Sequence, residues 1–536
     1  VTDYRTLAAA VRECAEEVRA AGLAPGEVLA VSVSDGLPAV VALLAALRTG
    51  VPFVWLDPAS PSAHRNSVTQ DCRPAALLRW RDGPLLCRLH TQTVPVPGDT
   101  ACVVYTSGST GAPKGIVQRR ANLDQFTPWF AAALGLTPGA RMLQWARMTY
   151  DAAYAEILAA VHVGSTLIVP AARQKSDPNR IAAITAQQLV THLLTVPSLC
   201  RALFTARAGA PLPEVGALGL SGEALPPDLL RDARRLVPNA AVTNFYGPTE
   251  CTLATWFPVP AGFAAEVVPI GRPIPGREIR LDPAGEILVR TRYLAHGYLR
   301  RDRETAHRFL PDPDGEPGVR LYRTGDLGGV TPDGDLVFVG RLDDQVKIRG
   351  VRVRLGEIEA ALRTAPDVAD AAVRVVDVGQ VASRIAAYVC GPAGRQPDVL
   401  ALRRHMTKIL SPVLVPAHYV VLAELPRTIT GKVDRGALPE PAASPAPRGA
   451  PPRGEWEQAV ARIWRDTIGC PEVGVDDDFF DVGGYSLLAP DVVAAVHDRL
   501  SLHVPMRSVF EYSRLGDFAA HLTTLPRQTS LAKEST

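Results

Sequence analysis

Apolar residues at Leu7, Val11, Cys14 and Val18 recur at helical spacing, and Ala21-Gly22-Leu23-Ala24-Pro25-Gly26 then breaks the pattern with turn chemistry. The spacing predicts a helix closed by a turn. The β-branched run Val28-Leu29-Ala30-Val31-Ser32-Val33 reads as a buried strand, Val40 to Leu47 as the next helix and Phe53-Val54-Trp55-Leu56 as the next strand. This alternation continues to about residue 340 and predicts a layered α/β architecture. Near Asp343 the texture changes. Val346-Lys347-Ile348-Arg349, a helix from Leu355 to Leu362 and the alternating Ala371-Ala372-Val373-Arg374-Val375-Val376 predict a small α+β subdomain ending at residue 438. Residues 439–453 are rich in Pro, Ala and Gly with almost no bulky apolar side chain, so they cannot bury enough surface to fold alone and read as a linker. Beyond them Trp456, Val460, Ile463, Trp464 and Ile468 form one helical stripe, and the last ~75 residues have the size of a compact helical bundle.

Composition narrows the class. At 536 residues the chain exceeds one hydrophobic core, and a prior of ~150 residues per domain predicts three or four units. A net charge of +2 with both signs abundant argues against a nucleic-acid footprint or a polybasic membrane patch, and favours a small-molecule ligand. No apolar run of about 18 residues exists, and Val1-Thr2-Asp3-Tyr4-Arg5 lacks the charged-then-apolar layout of a signal segment, which predicts a cytoplasmic protein with no membrane partner. The eight cysteines are scattered without Cys-x-x-Cys spacing and read as reduced core residues, neither a disulfide framework nor a zinc site.

The sharpest chemical signal follows a Val-Val-Tyr strand: Thr106-Ser107-Gly108-Ser109-Thr110-Gly111-Ala112-Pro113-Lys114-Gly115. Its glycines let backbone N–H groups approach an anion closely, its hydroxyls add donors and Lys114 adds a mobile positive charge, so it suits a nucleotide polyphosphate. It fails the Walker pattern, because Gly111 is followed by Ala-Pro-Lys. Further on, Asn244-Phe245-Tyr246-Gly247-Pro248-Thr249-Glu250 places an amide, an aromatic face and a carboxylate around a forced turn at a strand end. In Tyr322-Arg323-Thr324-Gly325-Asp326-Leu327 an acid beside a glycine turn could accept two ribose hydroxyls.

Together these motifs resemble the adenylate-forming enzymes, the superfamily of acyl-CoA ligases, luciferases and nonribosomal peptide synthetase adenylation domains. The resemblance implies ATP and Mg²⁺. Thr106, Ser107, Gly108, Ser109, Thr110, Gly111 and Lys114 would hold the phosphates; Asn244 would contact the adenine amino group, Tyr246 would stack on the ring with Gly247 and Thr249 beside it, and Glu250 would hold the metal. Asp326 would take the ribose, with Arg341 reaching the ribose or α-phosphate; Phe338 stands where Tyr is common. Asp343 matches the hinge about which the small domain rotates between half-reactions. Lys432, in Leu425-Pro426-Arg427-Thr428-Ile429-Thr430-Gly431-Lys432, matches the catalytic lysine that bridges the substrate carboxylate and the α-phosphate. Ser486, in Asp478-Phe479-Phe480-Asp481-Val482-Gly483-Gly484-Tyr485-Ser486, resembles the attachment site of 4'-phosphopantetheine on carrier proteins.

The implied fold is α/β: a layered adenylation core over 1–342, a small mobile α+β subdomain over 343–438, the linker 439–453, a four-helix-bundle carrier over 454–527 and a tail over 528–536. The first residues resemble a position inside the usual core and the segment between Trp55 and Tyr105 is short, which implies either a truncated start or a compact variant. By motif alignment the substrate pocket comprises Asp151, Ala152, Ala155, Leu194, Gly219, Ser221, Phe245, Leu253 and Ala254 with Lys432. Asp151 matches the acid that pairs a substrate ammonium, within Tyr150-Asp151-Ala152-Ala153 where the family has Phe-Asp-x-Ser. The other lining groups are apolar or small apart from Ser221, which predicts a neutral amino acid with an apolar or aromatic side chain. Ala155 falls where many members carry Trp, deepening the floor, unless Leu194 and Phe245 refill it. The expected partners are a phosphopantetheinyl transferase, condensation or other modules of a synthetase, and an MbtH-like activator. Two rivals remain: an acyl or aryl-acid ligase fused to a carrier, and a catalytically silent scaffold module.

Overall fold

A computed structural model of the chain describes residues 1–89, 92–106, 113–175, 177–207, 209–342, 345–348, 351–376, 384–392, 395–410, 414–427, 433–441, 449–468, 470, 472–480, 482, 484, 488–502 and 504–525. It divides into two compact units, Val1–Arg354 and Leu355–Thr536. Asp343, Lys432, Ser486 and Ser107 to Gly111 lie outside the described residues.

The first helix runs Tyr4–Ala20. Asp3 caps it by accepting the Thr6 N–H at 2.7 Å, and Val11, Cys14, Ala15 and Val18 form its buried stripe. The helix Leu37–Thr49 is closed by Gly50 at φ 77°, a left-handed conformation that only glycine adopts without strain. The expected strands Leu29–Ser32 and Phe53–Trp55 follow the first and the second of these helices and pair in parallel. They join Ala76–Trp80 and Thr100–Thr106 in a six-stranded sheet with antiparallel edges at Pro84–Arg88 and Lys114–Arg119. A seven-stranded sheet holds His192–Thr195, Ala217–Ser221 and Ala241–Tyr246 as parallel neighbours, with Thr255–Pro258 antiparallel beside the last. These central strands are buried along most of their length, as parallel strands covered by helices on both faces must be. A third, antiparallel sheet is built on the long strand Arg320–Val330.

In the second unit the helix Leu355–Arg363 and the strand Asp370–Val376 match the predicted periodicities. The latter pairs antiparallel with Arg384–Cys390, which pairs in parallel with His418–Val421. The carrier segment contains the helices Gly454–Ile468, Ala489–Leu500, Arg507–Glu511 and Leu515–Thr523, packed around Trp464, Phe479, Phe480 and Phe518. Val460, Ile463 and Trp464 of the predicted stripe are fully buried, with Trp456 and Ile468 against its rim.

Two details depart from the sequence-based expectation. The start of the linker is tied down: Tyr388 Oη donates to the Pro439 carbonyl at 2.7 Å, and Arg374 donates to the Leu438 carbonyl and pairs with Glu440. A polar side chain two residues past an apolar anchor finds partners there that composition does not reveal. Cys87 is exposed rather than core, because its strand lies at the sheet edge; Cys470 is half-buried, and the other six cysteines are buried.

Candidate active site

Most of the predicted nucleotide residues converge where strands of the three larger sheets of the first unit meet. The strand Ala241–Tyr246 carries Asn244 and Tyr246 inward, then turns at Gly247-Pro248 into a short 3-10 helix, Thr249–Cys251. A Cβ on Gly247 would lie 2.5 Å from both the Leu253 Cα and the Ala254 nitrogen, so only glycine lets the turn fold back this closely. The Ala254 N–H closes it onto the Tyr246 carbonyl at 2.8 Å.

Asn244 is 1% exposed and donates from Nδ2 to the Pro269 carbonyl at 2.8 Å. A carbonyl only accepts, so the amide must face it with its nitrogen, and Oδ1 is left buried with no hydrogen-bond partner among the described residues. Such an acceptor fits an exocyclic amine. Tyr246 donates its hydroxyl to Asp326 Oδ2 at 2.6 Å, and Asp326 Oδ1 takes the guanidinium of Arg341 across the adjacent strand pair. Asp326 is 4% exposed and sits on the Arg320–Val330 strand just after Gly325, whose φ is 74°. Three residues predicted to surround a nucleoside are thus linked to one another.

At the start of the phosphate loop, Thr106 pairs across the hairpin with Lys114, and Thr106 Oγ1 is buried without a partner among the described residues. Gly115 allows the strands to meet, since a Cβ there would lie 2.9 Å from the Tyr105 ring. Lys114 is 1% exposed, with Nζ 2.9 Å from Glu304 Oε1 and 3.7 Å from the Tyr298 ring centroid. Tyr298 in turn donates its hydroxyl to Glu250 Oε1 at 2.9 Å. The phosphate-loop cation and the predicted metal acid are therefore joined through one aromatic side chain. Sequence reasoning did not single out Tyr298 or Glu304; the available signal was the charged run Arg300–Glu304 just after Gly297-Tyr298-Leu299. Glu250 is fully buried, and its hard carboxylate oxygens suit Mg²⁺ completed by substrate phosphates.

Asp151 opens the helix Asp151–Val163. Burial raises its pKa to about 6; a hydrogen bond from Thr249 pulls it down and the charge of Glu250 pushes it up, so this acid stands within electrostatic reach of Glu250. The side walls follow from strand register. Gly219 pairs with Leu194 and Ser221 with Phe245 on adjacent parallel strands, which puts all four on one face. A Cβ on Gly219 would lie 2.9 Å from Leu194 Cδ1 and 3.1 Å from Phe245 Cε2. Ala155, Leu194, Phe245 and Leu253 share one apolar cluster with Phe126 and Phe130, with Ala152 and Trp129 packed against it. Trp129 meets both Phe245 and Trp256 edge-on at 88°. Ala155 is itself buried in this cluster of rings, so the absence of Trp at that position does not by itself make a deep floor. Ala254 is fully buried in the neighbouring cluster with Tyr246.

Among the described residues no three His, Cys, Asp or Glu side chains gather as a metal site, and no helix is long and apolar enough to cross a membrane.

Comparison with known proteins extends this picture. The family described as "AMP-binding enzyme" matches residues 2–95 and 80–299, "AMP-binding enzyme C-terminal domain" matches 357–432 and "Phosphopantetheine attachment site" matches 458–522. The chain is 37% identical over 542 residues to a protein of Salinispora arenicola described as a probable non-canonical nonribosomal peptide synthetase, CymA, covering 97% of this chain and 7% of that one. It is 35% identical to phosphinothricin tripeptide synthetase PhsB of Streptomyces viridochromogenes, covering 99% and 48% respectively. It is 33% identical to novobiocin biosynthesis protein H of Streptomyces niveus, covering 94% and 88%. The chain therefore spans only a small part of the first relative and about half of the second. The solved structure of holo-PA1221, described as a synthetase protein containing adenylation and carrier domains, superposes with a TM-score of 0.75 at 25% identity, covering 98% of this chain and 93% of that one.

Proposed function

Because the chain belongs to the AMP-binding, adenylate-forming enzymes and carries a phosphopantetheine carrier domain behind its adenylation domain, we propose that it activates a neutral amino acid with an apolar or aromatic side chain. The amino acid is first joined to AMP with release of pyrophosphate and then passed as a thioester to phosphopantetheine on Ser486. ATP supplies the α-phosphate and the leaving pyrophosphate. The acceptor left over on Asn244 supports adenine binding, and the Tyr246, Asp326 and Arg341 chain supports a ribose site. Thr106, whose Oγ1 has no partner among the described residues, supports a phosphate site, with Glu250 as the carboxylate for Mg²⁺; Lys114, buried and paired with Glu304, would have to exchange that partner to reach a phosphate.

One observation carries the choice of an amino acid over a simple carboxylic acid: Asp151, a carboxylate that Thr249 hydrogen-bonds and that lies on the same helix as Ala152 and Ala155, which pack into the apolar cluster. A substrate ammonium there would meet its countercharge away from bulk water, where the attraction is strong. A charged side chain deeper in the pocket would face Leu194, Phe245 and Leu253 unpaired, which disfavours acidic and basic amino acids. Full assembly of a peptide would require condensation or other modules as partners, and Ser486 would first have to be modified by a phosphopantetheinyl transferase; an MbtH-like protein is a further candidate partner.

The test is substrate-dependent ATP–pyrophosphate exchange across proteinogenic and nonproteinogenic amino acids, with aryl and aliphatic acids as controls. Exchange with one or a few neutral amino acids is the expected result. Exchange only with acids that lack an amine would transfer the assignment to an acyl or aryl-acid ligase.

A further inference from the structure

Within the second unit, the helix Val399–Ile409 of the small subdomain is capped by Asp398, whose carboxylate accepts the N–H groups of Leu400 and Ala401 at 2.9 and 3.2 Å. The cap stiffens the turn from which Arg403 projects. Arg403 is 2% exposed, yet its partner belongs to the carrier: Nη1 donates to Asp478 Oδ1 at 2.6 Å. Its guanidinium carbon stands 4.2 Å from the ring centroid of Phe480 and 5.3 Å from that of Tyr419. Phe480 is a carrier core residue at 1% exposure, whereas Tyr419 lies on the small subdomain's own sheet. Asp478 is held in place from the carrier side, where it accepts from Ser513 Oγ at 2.5 Å and from the Phe480 N–H at 2.9 Å.

An exposed ion pair at this place would contribute little and would leave the two domains free to separate. This pair is withdrawn from water, and a buried guanidinium is tolerated only while its carboxylate and its stacking faces are present. Opening the contact would leave Arg403 and Asp478 to be rehydrated together, so the contact is closer to a latch than to a sliding surface.

We propose that Arg403 is a positioning residue for thioester formation: the Arg403–Asp478 latch joins the carrier to the small subdomain so that the two travel as one body. Ser486 lies eight residues beyond Asp478 in the chain. The latch therefore fixes the base of the segment that bears the prosthetic group, where a flexible linker alone would supply only an effective concentration in the mM range, averaged over all orientations. The inference rests on the amino-acid-activating, carrier-loading reading above.

The experiment uses the full chain converted to its holo form. Arg403→Met, Arg403→Lys, Asp478→Ser and the Arg403→Met/Asp478→Ser pair are compared; serine keeps an acceptor for the Phe480 N–H while removing the charge. Pyrophosphate exchange and phosphopantetheine attachment should stay at the wild-type level, showing that both domains are folded. Single-turnover transfer of the acyl group should fall about tenfold in Arg403→Met and in Asp478→Ser, no further in the pair, and less in Arg403→Lys, as coupled partners require. Wild-type or faster transfer in Arg403→Met, or losses that add in the pair, would overturn the proposal. Hydrogen exchange gives a second readout that does not depend on knowing the substrate. Arg403→Met should speed exchange both in the helix Val399–Ile409 and around Asp478 to Phe480, and unchanged exchange at the carrier segment would equally overturn it. Absence of pyrophosphate exchange in the wild type would instead count against the functional reading, while hydrogen exchange would still decide whether the latch exists.

Discussion

Replacing Asp151 with Asn should make the enzyme a poorer catalyst and a more stable protein. The pKa of Asp151 is raised from 3.8 to about 6, chiefly by burial, so near neutral pH the group is ionised at a cost to the folded state. Two units correspond to about 3 kcal/mol. The sign follows from linkage. A carboxyl whose pKa is higher folded than unfolded makes stability fall as pH rises from 3.8 to about 6, and the penalty is fully present above that window. The Asp151→Asn variant carries no such penalty, so its melting temperature should exceed that of the wild type at neutral pH, with the difference vanishing in acid. The catalytic effect has the opposite sign. A carboxylate and an ammonium in contact at an effective dielectric near 20 attract by about 4 kcal/mol, and the amide oxygen returns about 1 kcal/mol of that as a neutral acceptor. The net loss of about 3 kcal/mol predicts a fall in kcat/KM for the amino acid on the order of 10²-fold. Wild-type kcat/KM should also decline as pH falls below about 6, and the variant should lose that inflection. Exchange kinetics across pH, with thermal melts on the same samples, measure all three effects. A variant that loses activity and melting temperature together would mean that Asp151 is a structural residue, and unchanged kcat/KM would remove it from the substrate site.

Three further substitutions test the proposed catalytic lysine, the proposed carrier serine and the proposed pocket wall. Lys432→Ala should lower adenylation on the order of 10²–10³-fold while sparing thioester transfer from supplied acyl adenylate; equal loss in both assays would remove its assigned role. Ser486→Ala should retain pyrophosphate exchange and abolish covalent loading, detected by mass spectrometry of the intact chain, and loss of both would mean that the division into activating and carrier domains is wrong. Gly219→Ala should lower the urea midpoint by the equivalent of about 1–3 kcal/mol, because its Cβ would lie 2.9 Å from Leu194 Cδ1. In a Leu194→Ala background the same change should cost less, with only the 3.1 Å approach to Phe245 Cε2 left, and an undiminished cost there would show that the strain lies elsewhere.

The linear order of apolar and turn residues was enough to predict the helix at Tyr4–Ala20, the strands at Leu29–Ser32 and Phe53–Trp55, the small subdomain and the carrier's buried stripe. Periodicity is set by which face each residue must bury, and it survives in one dimension. The nucleotide motifs were also visible as compact strings, since their glycines, hydroxyls and charges lie within a few residues of one another. Pairings across long chain separations were not. Tyr298 links Lys114 to Glu250, although it is 184 residues from the first and 48 from the second. Leu194, Gly219, Ser221 and Phe245 share a wall because of parallel register, which no local pattern encodes. The raised pKa of Asp151 and the sandwiching of Arg403 depend on desolvation, which exists only once distant segments have closed over these groups. Elements and reactive groups are thus written along the chain, whereas folding chooses which of those groups face one another away from water, and so how strongly each charge acts.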